Sequence, residues 1–270
     1  MGGKRKGRSG GGSGHRNKDG SVSQSATRGD PRTEKLNHLM AEVSWDGDAR
    51  EAWELKAVDL AEDQPGFLVT VDNFLTPYEC KQLRSIMEQV GLNPASKADL
   101  KPRKNEAYLN RESLACPCRV LYDKIYERMR PFAPELEGRE CVGLTERLRY
   151  YIYRKGHRFD AHVDVSNKGP GPGEETEYTL LIYLNGTSMS DLEGGETIFW
   201  ETKKKELCRI APEQGKLLLH AHGHRCLLHA GNLVTRGVKY MIRSDVMYRR
   251  EGAQSSNEDA YRPKTKDYTV

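Results

Sequence analysis

From Leu144 onward the chain is a succession of short β-rich runs: ERLRYYIY, YTLLIYLN, ETIFW, CRIAP, KLLLHAH and VKYMIRSDVMY. Gly-, Pro- and Asn-containing stretches separate them, among them RKGHRF, NKGPGPGEE, NGTS, EGGE, PEQGK and HAGN. Many short strands punctuated in this way predict antiparallel sheets packed as a sandwich or barrel. No repeat period runs through them.

The stretch before the strands reads differently. FLVTVDNFL (67–75) is rich in β-branched and aromatic residues and predicts one further strand. TPYECKQLRSIMEQVG then carries a helix start: Thr76 as cap, Pro77 in the first turn and Glu79 three residues after the cap. Leu83, Ile86, Met87 and Val90 recur at helical spacing, and Gly91 ends the helix. A second helix is expected over about Ser113–Arg130, with Leu114, Leu121, Ile125 and Met129 on one face. The organisation expected is a disordered basic Gly/Ser-rich leader (1–35), a poorly defined segment with Trp45 and Trp53 that docks as a short helix (36–65), a strand–helix part (66–143), the β-rich core (144–250) and a polar tail (251–270). The fold class is α+β.

Charge narrows the partners. The net charge is +4 over 270 residues, and Lys4, Arg5, Lys6, Arg8, Arg16, Lys18 and Arg28 crowd the leader. A nucleic-acid role therefore rests on that leader and not on a folded basic face. The leader's basic residues are not followed by an apolar stretch, and no apolar run reaches the ~18 residues a membrane span needs. The expectation is a cytoplasmic or nuclear protein with no membrane partner. Reduced thiols are expected for the six cysteines. Cys116-Pro117-Cys118 is too tight for a zinc pair and has no second pair.

The histidines point to chemistry. HAHGHRCLLHAG holds His220, His222, His224 and His229, half of the eight in the chain. Earlier, HRFDAHVDVS places His162 and Asp164 two residues apart, on one face of a strand. Two imidazoles and one carboxylate on a single face form the facial triad of non-haem Fe(II) oxygenases, which leaves positions open on the ion. Such a site needs one distant histidine, and HAHGHRCLLHAG offers four. An oxygenase that uses 2-oxoglutarate also needs a cation for the cosubstrate's far carboxylate. Lys239 follows His229 by ten residues, whereas the same step from His220, His222 or His224 reaches Ala230, Asn232 or Val234.

These blocks together resemble the 2-oxoglutarate- and Fe(II)-dependent dioxygenases of the prolyl 4-hydroxylase catalytic-domain type. The matching residues are Tyr153, Gly156, Phe159, His162 and Asp164; Thr179, Leu181, Tyr183, Leu184 and Asn185; Gly194, Gly195, Glu196, Thr197 and Phe199; Pro212 and Gly215; and His229, Gly231, Val234, Gly237 and Lys239. The resemblance covers about 144–250. It implies a double-stranded β-helix (jelly roll) with flanking N-terminal helices, and a metal and catalytic set of His162, Asp164 and His229. It implies Lys239 at the C5 carboxylate of 2-oxoglutarate, with Tyr153 and Thr179 helping to bind the same cosubstrate. Arg243 departs from the collagen-type pattern and is expected on the face of Lys239, where it shares or takes over that contact.

The implied cofactors are Fe(II), 2-oxoglutarate and O2, with ascorbate as reductant and succinate and CO2 as products. The implied partner is a peptide or protein carrying the hydroxylated residue, proline first. The oligomeric state is left open. Two other readings are kept: the same chemistry on a nucleobase or small molecule, and a non-catalytic jelly-roll binding module. His220, His222 and His224 are expected to share a strand face as polar positions near the barrel mouth, and Lys203, Lys204 and Lys205 to form a solvated hairpin.

Overall fold

The structure is a computed structural model that describes residues 30–45, 56–60, 66–104, 106–189 and 192–253. Most of the expected leader and tail, and Trp53, lie outside the described residues. Four helices are described: α1 (Pro31–Ala41), α2 (Pro77–Val90), α3 (Lys97–Leu100) and α4 (Arg119–Met129). The strands before the core are β1 (Lys56–Asp59), β2 (Leu68–Asp72), β3 (Leu109–Asn110) and β4 (Glu112–Pro117). Next come β5 (Arg139–Leu144), β6 (Arg147–Arg154), β7 (Arg158–His162), β8 (Glu174–Tyr183), β9 (Glu193–Gly194) and β10 (Thr197–Thr202). The last are β11 (Lys205–Ile210), β12 (Leu217–Ala221), β13 (Leu228–Gly231), β14 (Val234–Arg236) and β15 (Val238–Arg250).

The major sheet runs β1-β2-β12-β8-β15-β6-β4, with β5 also paired to β15. The minor sheet runs β11-β10-β13-β7-β3, and β14 pairs with β9. All pairings among the named strands are antiparallel. Two facing antiparallel sheets with helices attached are the α+β jelly roll expected from the sequence. Among the described residues, no helix is long and apolar enough to cross a membrane.

Strand alternation divides the major sheet between two cores. Tyr150 and Ile152 of β6, Leu180 and Ile182 of β8, Leu217 and Leu219 of β12, and Ile242 of β15 pack with α1, α2 and α4. Their neighbours Tyr151, Tyr153, Leu181, Tyr183, Leu218 and Met241 face the other way and pack with Phe199 and Ile210 of the minor sheet. A side chain's position in the sequence therefore decides whether it supports the helical layer or enters the space between the sheets. The site lies on the inner side.

Helix α2 begins as read: Thr76 Oγ1 accepts from Glu79 N at 3.2 Å, and Glu79 Oε2 accepts from Thr76 N at 2.9 Å. The helix expected over Ser113–Arg130 is corrected. Glu112–Pro117 is a strand paired with β6, and the helix starts only at Arg119. Leu114, Cys116 and Cys118 are buried at alternate positions, and Pro117 cannot donate inside a helix, so the extended form is favoured. A second difference is α1, which begins at Pro31, inside the expected leader. Asp30 caps it by accepting from Arg32 N at 2.9 Å, and Leu36 and Met40 anchor it in the core.

One turn requires glycine. Gly215 of PEQGK has φ +80°, and a Cβ there would stand 2.1 Å from Leu75 O. The turn feeds β12 into the centre of the major sheet.

Candidate active site

Two strands of the minor sheet bring the candidate ligands together. His162 on β7 and His229 on β13 are directly opposed across the pair. Their ring centroids are 4.3 Å apart, and Phe159 stacks on His162 at 3.7 Å. Asp164 follows two residues after His162 and turns to the same face. His162 Nε2 stands 3.7 Å from Asp164 Oδ1, and His229 Nε2 stands 3.8 Å from Asp164 Oδ2. One donor atom from each of the three lies within 4.8 Å of the other two.

The remaining atoms of these groups are committed in ways that suit a metal. His162 Nδ1 meets Asp160 O at 2.9 Å, and His229 Nδ1 meets Leu227 O at 2.9 Å. A carbonyl partner requires the proton on Nδ1, which leaves the Nε2 lone pair free to face its neighbours. Burial, and then the adjacent His229, push the His162 pKa down to about 3; burial lowers His229 as well. Both imidazoles are thus neutral, as ligands must be. Asp164 is 1 % exposed, and among the described residues its Oδ1 has no hydrogen-bond partner. Burial alone would raise its pKa, but the Arg243 guanidinium outweighs that and holds it well below the usual carboxylate range. An ionised, buried carboxylate with one unpartnered oxygen, grouped with two imidazoles that offer their Nε2 atoms, fits a divalent cation by donor type and spacing.

The major sheet supplies the opposite wall. Thr179 Oγ1 donates to Asp164 Oδ2 at 2.6 Å, and Arg243 Nη2 donates to the same oxygen at 3.0 Å. Thr179 and Arg243 are also in contact, at 3.2 Å. The resemblance has Thr179 helping to bind the cosubstrate and Arg243 sharing or taking over its carboxylate contact; in the structure both contact Asp164 and orient it. Arg243 continues through Asp245 Oδ1 (3.4 Å), whose Oδ2 accepts from Arg149 Nη1 at 2.8 Å. Arg149 is part of this half-buried chain.

Lys239 lies deeper in the barrel, directly across the strand pair from Tyr153. Its Nζ is 5.4 Å from the Tyr153 ring centre and 5.1 Å from that of Tyr183, and it donates to Gly195 O at 2.6 Å. Burial lowers its pKa to about 7, against a partial upward pull from Glu196. Tyr183 and Thr197 share a hydrogen bond at 2.6 Å beside it. Arg111 is also buried here, with its guanidinium carbon 3.6 Å above the Tyr151 ring and Nη1 donating to Tyr153 OH at 3.1 Å. The cavity joining these residues to the histidines has a volume of about 40 Å³.

The sequence reading left out Tyr183, Thr197, Arg111 and Tyr151 as site residues. The first two sit in the blocks YTLLIYLN and GGETIFW, and strand alternation from Leu181 would have placed Tyr183 inside. Arg111 had no such signal, because its segment was read as loop. The expected histidine face holds only in part. β12 ends at Ala221, so His220 points into the site while His222 opens a short 3-10 turn, with its Nε2 2.7 Å from Thr179 Oγ1; His224 is exposed. The 203–205 lysine run does form an exposed hairpin between β10 and β11.

No curated protein sequence matches this chain. Among solved structures, similarity is found to a viral collagen prolyl hydroxylase from Paramecium Bursaria Chlorella virus-1 in a 2OG complex, at 21% identity and TM-score 0.48, covering 69% of this chain and 97% of that one. A Trichoplax adhaerens prolyl hydroxylase in complex with a hypoxia inducible factor peptide fragment matches at 18% identity and TM-score 0.48, covering 82% and 94%. A Pseudomonas putida prolyl-4-hydroxylase matches at 15% identity and TM-score 0.46, covering 72% and 97%. Residues 148–244, which include every candidate ligand and Lys239, match the 2OG-Fe(II) oxygenase superfamily. The stretch that carries the candidate site is thus similar to a 2OG-Fe(II) oxygenase.

Proposed function

We propose that this oxygenase hydroxylates a C–H bond of a prolyl residue in a peptide or protein, with His162, Asp164 and His229 holding Fe(II) and Lys239 anchoring 2-oxoglutarate. The observation that carries the reading is the buried Asp164 carboxylate, its Oδ1 unpartnered among the described residues, set against two imidazoles whose Nδ1 atoms are already engaged: His162 Nε2 is 3.7 Å from Oδ1 and His229 Nε2 is 3.8 Å from Oδ2. Bound Fe(II), with 2-oxoglutarate and O2, would supply the oxidising power, one oxygen atom of O2 going to the C–H bond and the other to succinate as CO2 leaves; ascorbate would keep the iron reduced. The chain supplies position, charge and exclusion of water.

Each group has a defined task. Thr179 and Arg243 occupy Oδ2 of Asp164 and so present Oδ1 to the metal. The carbonyls of Asp160 and Leu227 hold the two imidazoles in the ligating tautomer. Lys239 pairs with the C5 carboxylate, exchanging its contact with Gly195 O for a charged partner, while Tyr153 and Tyr183 shield that pair from water. A second cavity, of about 500 Å³, begins where the first ends on β15: Asp245 and Met247 line it together with Arg149, Thr145, Thr176 and Tyr122. A space of that size is suited to a peptide segment, with the Arg149–Asp245 pair at its wall, and none of the three candidate ligands lines it.

The test uses Fe(II), 2-oxoglutarate, ascorbate and a library of proline-containing peptides, read as succinate formed and as a +16 Da mass on proline, with Asp164→Ala as the blank. Oxygen insertion on proline supports the proposal. Succinate coupled to oxidation of a nucleobase or small molecule, with none on peptides, contradicts the prolyl assignment and leaves the enzyme class standing.

The pH dependence of cosubstrate binding follows from Lys239. With the free ammonium titrating near 7, the neutral amine predominates above that pH. Pairing with a carboxylate raises the lysine's pKa in the complex, so binding takes up a proton once pH exceeds the free value. The contact is fully present below about 7 and weakens above it. The Kd for 2-oxoglutarate on the Mn(II)-loaded protein is expected to rise about tenfold per pH unit between roughly pH 7 and 9, the slope for one linked proton. A flat profile over that range contradicts a role for the ammonium.

A further inference from the structure

We propose that Arg111 is a positioning residue for the cosubstrate: through the Tyr153 hydroxyl it brings a second positive charge to the C5 carboxylate that Lys239 anchors. This rests on the cosubstrate site proposed above. It adds a residue from outside the stretch that is similar to a 2OG-Fe(II) oxygenase.

Arg111 immediately precedes β4 and lines the cavity that joins Lys239 to the histidines. It is 4 % exposed, with its guanidinium carbon 3.6 Å from the Tyr151 ring centre and 5.5 Å from that of Phe159. Among the described residues no carboxylate pairs with it. The adjacent acid, Glu112, bonds Arg154 instead. Arg243, a charge of the same sign, adds repulsion. Nε has no hydrogen-bond partner among the described residues. The aromatic faces offset part of the cost of burying this cation. A methionine would fill the space between the same rings with no such cost. The partner the protein does not provide is an anion that enters the cavity.

The one group that Arg111 does bond says where that anion sits. Nη1 donates to Tyr153 OH at 3.1 Å. A guanidinium cannot accept, so the phenol oxygen accepts and its own proton is left to donate. That proton has no acceptor among the described residues. Tyr153 lies directly across the strand pair from Lys239, whose Nζ is 5.4 Å from its ring centre. A carboxylate that takes the place of Gly195 O at Lys239 thus meets a second donor, polarised by the cation behind it. Tyr183, on the other neighbouring strand, has its hydroxyl engaged with Thr197 at 2.6 Å.

The experiment measures binding of 2-oxoglutarate and of 2-oxopentanoate to the full chain loaded with Mn(II). The second compound carries a methyl group in place of the C5 carboxylate. Arg111→Met is expected to raise the Kd for 2-oxoglutarate about tenfold and that for 2-oxopentanoate by less than about twofold, because the relay acts on the carboxylate alone. In a Tyr153→Phe background the same substitution is expected to cost less than about threefold, since residues that act through one another are not additive. Without cosubstrate, Arg111→Met is expected to melt at or above the wild type, because a buried charge without its counter-charge is gone. Arg111→Gln serves as a second neutral variant should methionine disturb folding. An unchanged 2-oxoglutarate Kd in a folded Arg111 variant overturns the inference. So does an equal loss with 2-oxopentanoate, or the full loss retained in the Tyr153→Phe background. Lys239→Ala separates it from the reading beneath. If that variant loses 2-oxoglutarate affinity while Arg111→Met keeps it, only the role of Arg111 fails. If the wild type binds 2-oxopentanoate as tightly as 2-oxoglutarate, the C5 anchoring site itself fails.

Discussion

Asp164→Ala is expected to lower 2-oxoglutarate turnover by on the order of a thousandfold or more, to the level of the blank, because it removes one member of a set that acts as a unit. The carboxylate contributes the only charge among the three candidate ligands, and it also bridges the two sheets: it faces His162 and His229 on one side and Thr179 and Arg243 on the other. The fold is expected to survive, since Arg243 keeps Asp245 as an ionic partner. Loss of activity should therefore be accompanied by a cooperative melting transition that no longer rises with Mn(II), because an ion that does not bind the native state cannot stabilise it. Succinate assay and thermal melting check both halves. Retained turnover in this variant contradicts the ligand assignment.

The largest effect on stability is expected away from the site. Glu79 is fully buried and takes two hydrogen bonds from Arg128, from Nη1 at 2.8 Å and Nη2 at 2.6 Å, and so ties α2 to α4 behind the major sheet. The same carboxylate accepts from Thr76 N and completes the cap of α2. Glu79→Ala leaves a guanidinium buried without its carboxylate and removes half of the capping box. Breaking a buried pair from one side costs about 3–5 kcal/mol. A pair of apolar replacements, Glu79→Leu with Arg128→Met, should recover much of that loss, because the desolvation cost of both charges disappears together. Urea unfolding of the two variants measures this as a shift in midpoint at constant slope. A single variant within about 1 kcal/mol of the wild type contradicts the role given to the pair.

Much of this architecture was legible in the sequence because its signals are local. Period-2 alternation in YTLLIYLN and VKYMIRSDVMY fixes which side chains face inward, and His162 and Asp164 share a face for the same reason. Thr76, Pro77 and Glu79 announce α2. The mistaken helix at Ser113 came from reading Leu114 with Leu121 and Ile125, which fit helical spacing by coincidence; Pro117 was the contrary signal. Helix α1 carried a legible start in Asp30-Pro31, obscured by the Gly/Ser-rich stretch before it. Arg243 and Thr179 were sorted to the inner face, but their contact with Asp164 was not legible. Alternation gives the face and says nothing of depth, and four residues along β15 separate Lys239 from Arg243. His220 could not be placed from sequence, since its position opposite His229 depends on how the two sheets meet.

The central claim is that one divalent ion is held by His162, Asp164 and His229, with Lys239 anchoring the cosubstrate beside it. Isothermal titration with Mn(II) and then 2-oxoglutarate, on the wild type and on single alanine variants of these four residues, tests it most directly. The expected result is one Mn(II) per chain, lost in His162→Ala, Asp164→Ala and His229→Ala, but kept in Lys239→Ala, where 2-oxoglutarate binding alone is lost. Mn(II) affinity undiminished in any of the first three, or 2-oxoglutarate bound as tightly without the metal as with it, would contradict the account.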